Sequence, residues 1–451
     1  MLLHLAPSCV AQRQPSPDLL PPNISTTTFS SMQDATDGHH PSDDANDAPI
    51  HPRTRKPPKH AHCYITALTA FLASHPPSTN IPINIPTKLR YDIYGPLLLL
   101  PATSPLTLPP WNTYLASLPP DVREEFYGVL AGAFSVTHVA INAPISTDAS
   151  LENRNAIRAP RITPLHGDFG DTITSESQDG SKVDSRAFDA AFWASVVQHG
   201  VYQTWAPLHT MFSRGNISEK SRIHTLASHF SRSHNGRERE GRRVAAVDLY
   251  VGIGYFAFSY LKAGVPVVFG WDINPWSIEG CRRGALANKW PVAVTSTSTP
   301  TSTSTAIPDT NTTTDIDTDT RLFVYRESNE HAPSRLANIK RRMTATGRKW
   351  YHVRHVNLGL LPSSAASYEL AVAVLALNDT DEEAFVHVHE NVATADVDGL
   401  KEGIVGKFQA LVVGKGLKRG VECVHVEYVK SWAPGVWHCV FDIRVFPKMR
   451  D

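Results

Sequence analysis

Apolar positions in the second half of the chain fall in short runs separated by amphipathic stretches. The runs predict strands over 244–250, 265–271, 321–326, 351–357, 384–389 and 438–446. Helices are predicted between them, over 255–263, 275–289, 333–343, 364–376 and 398–416. Apolar strands that alternate with helices predict an α/β fold with a mostly parallel, doubly wound sheet. Upstream, residues 61–205 carry shorter elements, such as "DVREEFYGVLAGAF" and "VTHVAINAP", and predict a separate N-terminal α+β region.

Two stretches break the pattern. Residues 1–60 are rich in Pro, Ser, Thr, Asp and His without a sustained apolar period, so they are expected to form a disordered tail. A second low-complexity stretch, "TSTSTPTSTSTAIPDTNTTTDIDTDT", belongs to an expected disordered insert at 291–320. Strand-like sequence resumes at "RLFVY", so the insert splits one folded domain, and long surface loops cost little. The expected organisation is therefore tail 1–60, α+β region 61–205 and a domain over 206–451.

The formal net charge of zero is an average over unlike parts. Without the tail and the insert, 38 Lys/Arg and 33 Asp/Glu remain, a body of +5 that permits RNA binding without requiring it. Lys340, Arg341, Arg342, Arg348 and Lys349 form one basic cluster, and "PRTRKPPKH" closes the tail. No run of about 18 apolar residues predicts a membrane span. The five cysteines are scattered and form no C-x-x-C pair. Neither a disulfide framework nor a zinc site is expected, and a reduced, cytoplasmic setting is.

The candidate chemistry centres on "VDLYVGIGYF". Gly252-Ile253-Gly254-Tyr255-Phe256-Ala257 fits the G-x-G-x-x-G/A turn that follows a strand and opens a helix. Asp272 lies 20 residues past Gly252, where a carboxylate can accept from both ribose hydroxyls. NAD and S-adenosylmethionine enzymes share these features. Two details favour S-adenosylmethionine. Asp248, inside the strand, would oppose a pyrophosphate but suits a cationic methionyl group. The bulky Tyr255-Phe256 pair can close on an apolar adenosine.

Other segments are weaker. Asn274-Pro275 starts a helix with Ile278, Cys281 and Ala285 on one face, and Trp276 reads as packing. Ser328 and Asn329, after the third predicted strand, can reach an adenine edge. Ser213, Arg214 and Lys220 are donors able to hold a carboxylate such as the methionyl end of the cofactor. His387 and His389 share a strand face; with no further ligand evident they read as a structural pair and no metal is expected. Glu390 and Asn391 are expected at that strand's carboxyl end.

"VDLYVGIGYFAFSYLKAG", "DINPWSIEGCRRGALAN", "HVNLGLLPSS" and "VHVHENV" resemble the class I transferases that modify guanosine 37 of tRNA. "TPLHGDFGD", "FWASVVQHGVYQTWAPLHTMFSRGNISEKSRI" and "VEYVKSWAPGVWHCVFDIRV" extend the resemblance from about residue 90 onward, nearest the tRNA wybutosine-synthesizing protein 2 family. The resemblance implies a Rossmann-like, class I methyltransferase-type sheet in an enzyme that uses S-adenosylmethionine as co-substrate. It also implies transfer of a 3-amino-3-carboxypropyl group to C7 of 4-demethylwyosine in the anticodon loop of phenylalanine tRNA. The sister N1-guanosine methyltransferases carry Asn-Pro-Pro at the fourth strand end, where this chain has Asn357-Leu358-Gly359-Leu360-Leu361-Pro362. That methylation is the alternative activity. By resemblance, Ser213, Lys220, Asp272, Ser328 and Asn329 match cofactor-contacting positions, joined by Asp248, Gly252 and Gly254 from the turn itself. Asn357 is the candidate for positioning the acceptor base, and residues 61–205 are expected to contact tRNA.

Overall fold

A computed structural model of the chain describes residues 60–78, 82–142, 162–170, 183, 185–231, 244–296, 319–379 and 382–447. The expected tail, apart from His60, and residues 297–318 of the expected insert lie outside the described residues.

The N-terminal part opens with a helix at His60–Ser74. Strands β1 (Asp92–Tyr94), β2 (Leu97–Pro101), β3 (His138–Asn142) and β4 (Ile162–His166) then form a mixed sheet in that order. The helix Pro120–Phe134 packs Phe126, Leu130 and Phe134 into a core with Tyr64, Leu68, Trp111 and Leu98. A two-stranded hairpin follows, β5 (Ala194–Gln198) and β6 (Val201–Trp205). His199 and Gly200 turn it with φ of 49° and 69°, the left-handed pair that suits a two-residue hairpin loop.

The second half is an eight-stranded sheet. Its strands are β7 (Val244–Asp248), β8 (Val267–Asp272), β9 (Val292–Ser296), β10 (Leu322–Arg326), β11 (His352–Leu358), β12 (Ala384–Ala393), β13 (Arg419–Ala433) and β14 (Val436–Pro447). Their spatial order is β13-β14-β12-β11-β7-β8-β10-β9. Strands β7 to β12 run parallel, and β14 lies antiparallel to both β12 and β13. This is the doubly wound, class I methyltransferase-type sheet, with its order reversing between β7 and β11. Ligands of such sheets bind outside the strands' carboxyl ends at that reversal.

Alternation along the strands builds two unlike faces. Val247, Phe269, Phe323, Val356, Val388 and Phe441 point to one face, under the helices Ala332–Ala345, Tyr368–Leu375 and Val397–Gly414. The opposite face is apolar beneath Ala257–Lys262 and Pro275–Ala287, where Ala246, Val268 and Val324 meet Phe258, Ile278 and Cys281. Farther across, that same face turns polar. His355, His387, His389, His438 and Asp442 are all buried there.

Three elements differ from the sequence reading. Residues 292–296, placed in the insert, form edge strand β9, because Val292 and Val294 extend the sheet beside β10. Strand β12 runs on to Ala393, so Glu390 and Asn391 pair within it, opposite Cys439 and His438. Strand β13 went unassigned: register shifts at Cys423/His425, Tyr428/Lys430 and Ser431/Ala433 erase its period of two.

Candidate functional site

The crevice floor is where β7 and β11 separate. Asp248 and Asn357 end these strands as register partners. Asp248 is fully buried; its Oδ1 accepts from the Tyr250 N–H at 3.2 Å and from Asn357 Nδ2 at 3.3 Å. Among the described residues, Asp248 Oδ2 and Asn357 Oδ1 have no hydrogen-bond partner. Burial pushes the Asp248 carboxyl up to about 7, and the nearby Asp272 charge adds to the rise. A buried carboxylate without a cation is costly, and the raised value is that cost expressed as a preference for the neutral form.

The glycine turn sits above this acid. Gly252 and Gly254 have φ of 53° and 90°. A Cβ on Gly254 would stand 2.5 Å from the Phe258 ring, so helix Ala257–Lys262 can approach only a glycine. The aromatic pair behind the turn divides its work. Phe256 is buried beside His389, 5.0 Å between rings, with its ring edge against Gly359 just past Asn357. The Tyr255 hydroxyl donates to Met211 O and accepts from the Ser213 N–H.

Asp272 ends β8 in the position expected for a ribose acceptor. Its Oδ2 accepts from the Gly252 N–H at 3.0 Å and its Oδ1 from the Asn274 N–H at 2.8 Å. Each oxygen keeps a lone pair for a ribose hydroxyl. Burial pushes this carboxyl up to about 6. Asn274 caps the next helix by accepting from the Trp276 N–H, as its Asn-Pro start predicts. Trp276 stacks on His209 with ring centroids 3.7 Å apart, which is packing.

Beyond β10, Ser328 caps a short 3-10 turn, accepting from the Glu330 N–H. Asn329 Nδ2 donates to Leu249 O at 3.1 Å, so its amide is oriented by the residue after Asp248.

Lys220 is the unusual cation. It is 6% exposed, donates to Gln198 Oε1 at 2.9 Å and Gln203 Oε1 at 2.6 Å, and lies 5.1 Å from the Phe212 and Tyr255 ring centroids. Among the described residues it pairs with no carboxylate, and burial lowers its ammonium to about 7. Arg214, weighed with it, instead pairs with Asp92 at the exposed edge. Gln198 and Gln203 were missed in the sequence; the signal available was the "HG" turn that brings them together.

The helix that carries Lys220, Ile217–Ser231, is tied down by ions. Arg222 binds Glu219 at 2.7 and 2.8 Å and Asp442 at 2.5 and 3.0 Å. Asp442 continues to His387 Nδ1 at 2.7 Å, and His387 to His355 at 3.1 Å. His389 bonds His438 at 2.9 Å. The histidines of "VHVHENV" are thus buried in two hydrogen-bonded groups, one with His355 of β11 and Asp442 of β14 and one with His438 of β14. Glu390 points to the other face and accepts from Ser364 and Tyr368, fixing the loop after β11.

The basic cluster lies elsewhere. Lys340 donates to Leu377 O and pairs with Asp379, beside Asn378, which bonds the backbone of Val353 at the start of β11. That is the end of the sheet opposite the crevice.

No protein-family model matches the chain. The chain is 37% identical to tRNA wybutosine-synthesizing protein 2 of Schizosaccharomyces pombe over 360 residues, 79% of this chain and 73% of that protein. It is 31% identical to the protein of the same name from Saccharomyces cerevisiae over 326 residues, 69% of this chain and 60% of that one. Among solved structures, P. horikoshii TYW2 in complex with MeSAdo aligns with a TM-score of 0.49 at 16% identity, covering 85% of this chain and 99% of that chain.

Proposed function

The chain belongs to the tRNA wybutosine-synthesizing protein 2 family, and from that premise we propose how its crevice performs the family's reaction. The enzyme is an S-adenosylmethionine-dependent tRNA aminocarboxypropyltransferase. It moves the 3-amino-3-carboxypropyl group onto C7 of 4-demethylwyosine. The residue modified is position 37 of phenylalanine tRNA, presented by the anticodon loop, where bases can be splayed out and stacked.

The observation that carries the reading is Asp248, a buried acid with an unpartnered oxygen beneath the glycine turn. A pyrophosphate would be repelled there, whereas a sulfonium is attracted. The residues fit the co-substrate at each end. Asp272 takes the ribose hydroxyls, with Gly252 and Gly254 giving the close approach. Ser328 and Asn329 face the adenine edge, and Ser213 and Lys220 take the methionyl end.

Bound there, S-adenosylmethionine supplies three carbons on one sulfonium, each open to displacement. Attack by C7 on the methionyl Cγ forms the new C–C bond and breaks C–S, and the bond pair stays on sulfur in methylthioadenosine. The C7 proton leaves to water or a polar group at the crevice. The protein's contribution is orientation: the carbon held in line with the acceptor is the one transferred. Asn357, at the strand end beside Asp248, positions the acceptor through its amide oxygen.

Residues 206–451 form the catalytic domain in this reading, and residues 61–205 hold the tRNA. In support of the latter, Tyr94, Ala140 and Trp205 share a core with Ile253 of the glycine turn. A cytoplasmic location completes the reading, supported by the scattered cysteines. No helix among the described residues is long and apolar enough to cross a membrane.

The test uses tRNA arrested at 4-demethylwyosine and S-adenosylmethionine labelled separately in its methyl and carboxyl carbons. Carboxyl label is expected in tRNA. Methyl label alone would replace this reading with N1-guanosine methylation.

A further inference from the structure

Strands β13 and β14 form a long hairpin that outruns its neighbours. Strand β11 ends at Leu358, opposite Val388, while β12 continues to Ala393 beside the hairpin's tip. The tip therefore rises past the crevice floor as a side wall. Lys430, near that tip, pairs with His438 and so shares the face that carries the Lys220 helix. Its Nζ donates to Ser213 Oγ at 3.1 Å.

The contact is shaped on both sides. The Lys430 stem lies against Gly215, where an added Cβ would stand 2.5 Å from Lys430 Cδ. Gly215 has no left-handed φ to explain it, so its missing side chain is explained by the lysine. After burial, the charge of Lys430 is the second cause that lowers His438 to about 3. The imidazole is therefore neutral and does not compete for an anion.

Two lysines thus flank one turn. Lys430 touches Ser213 from the hairpin; Lys220 lies over Tyr255, whose hydroxyl binds the Ser213 N–H. Among the described residues Lys220 bonds two amide oxygens and lies over aromatic rings, and no carboxylate is bonded to it.

Resting on the S-adenosylmethionine reading above, we propose that Lys430, with Ser213 and Lys220, seats the α-carboxylate of the methionyl chain and so determines which sulfonium carbon faces the acceptor. The chain that bears this carboxylate is the group transferred. Anchoring its far end restrains Cγ, while the methyl carries no such handle. Lys430 is a specificity-determining residue supplied by the last hairpin of the sheet.

Calorimetric titration separates this role from a structural one. The probes are S-adenosylmethionine, decarboxylated S-adenosylmethionine and methylthioadenosine, which lacks the carboxylate. Lys430→Met is expected to weaken S-adenosylmethionine about tenfold, as the loss of a charge-assisted contact does. It should leave the two carboxylate-free ligands within twofold of wild type, and Lys430→Arg should restore most of the loss. Gly215→Ala, which displaces the lysine, should reproduce the methionine variant. Equal weakening of all three ligands, or none, would overturn the role of Lys430 while leaving the co-substrate intact. Wild-type protein that binds methylthioadenosine no worse than S-adenosylmethionine also overturns it. Failure of wild type to bind any of the three would remove the underlying reading itself.

Discussion

Asp248 and Asn357 stand side by side at the ends of adjacent parallel strands, joined by one 3.3 Å hydrogen bond, each with one oxygen unpartnered. In the free protein this pair is a liability. Asp248 titrates near 7 rather than at its ordinary 3.8 because burial disfavours its charge. An acid whose folded value is raised stabilises the fold in its neutral form. That stability is whole below the unfolded value and is lost as pH rises through 7. Asp248→Asn should therefore be more stable than wild type at pH 8, by roughly 4 kcal/mol at most, with no difference at pH 3.5. The same variant should bind S-adenosylmethionine far more weakly. Equal melting at pH 8 would show that the carboxylate is solvated.

Affinity for the co-substrate should peak near neutrality. Asp248 must be ionised to meet the sulfonium, which requires pH above about 7. Lys220 must be protonated to meet the carboxylate, which requires pH below about 7. The dissociation constant should rise on both sides of neutrality, approaching tenfold per pH unit at the extremes. Asp248→Asn should move the acidic limb down to the one left by Asp272, near 6, and Lys220→Met should abolish the alkaline limb. Binding measured between pH 5.5 and 9 checks both, and a flat wild-type profile would contradict both assignments.

Gly254→Ala should cost about 2–4 kcal/mol and abolish co-substrate binding, through a left-handed φ and collision with Phe258. Adding Phe258→Leu should return only part of the loss, since it makes room without changing φ. Full rescue, read by thermal melting, would show that the clash alone forbids a side chain.

Arg222→Met strands two buried carboxylates, Glu219 and Asp442. The expected cost is about 3–5 kcal/mol, with co-substrate affinity falling because Lys220 is on the same helix. Glu219→Gln added to Arg222→Met should recover part of the stability. Denaturant midpoints of the single and double variants measure the coupling.

Much of this was legible from residue order because the parallel strands are apolar runs and the helices between them are long. Asp248, the glycines and Asp272 could be placed because the strand–turn–helix geometry ties their separation in sequence to their separation in space. What stayed hidden depends on segments far apart. Lys430 meets Ser213 across 217 residues, and Arg222 meets Asp442 across 220. No local period encodes such pairs. The Tyr255-Phe256 pair shows the limit within one turn: the sequence does not tell that Tyr255 bonds Met211 and Ser213 while Phe256 packs on His389. The basic run 340–349 could be seen in the sequence as a cluster, but only the Lys340 contacts with Leu377 and Asp379 show that it begins at the end of the sheet away from the crevice.

The Arg222–Asp442 bridge has a temporal side. A ribosome delivers the Lys220 helix long before it delivers β14, and most of the sheet is synthesised in between. Until residues 438–442 arrive, Glu219 and Arg222 have no third partner and the histidine ladder has no end. The lysine proposed to hold the co-substrate is thus locked in place by the last strand described, so a nascent chain carries the glycine turn well before its helix is secured.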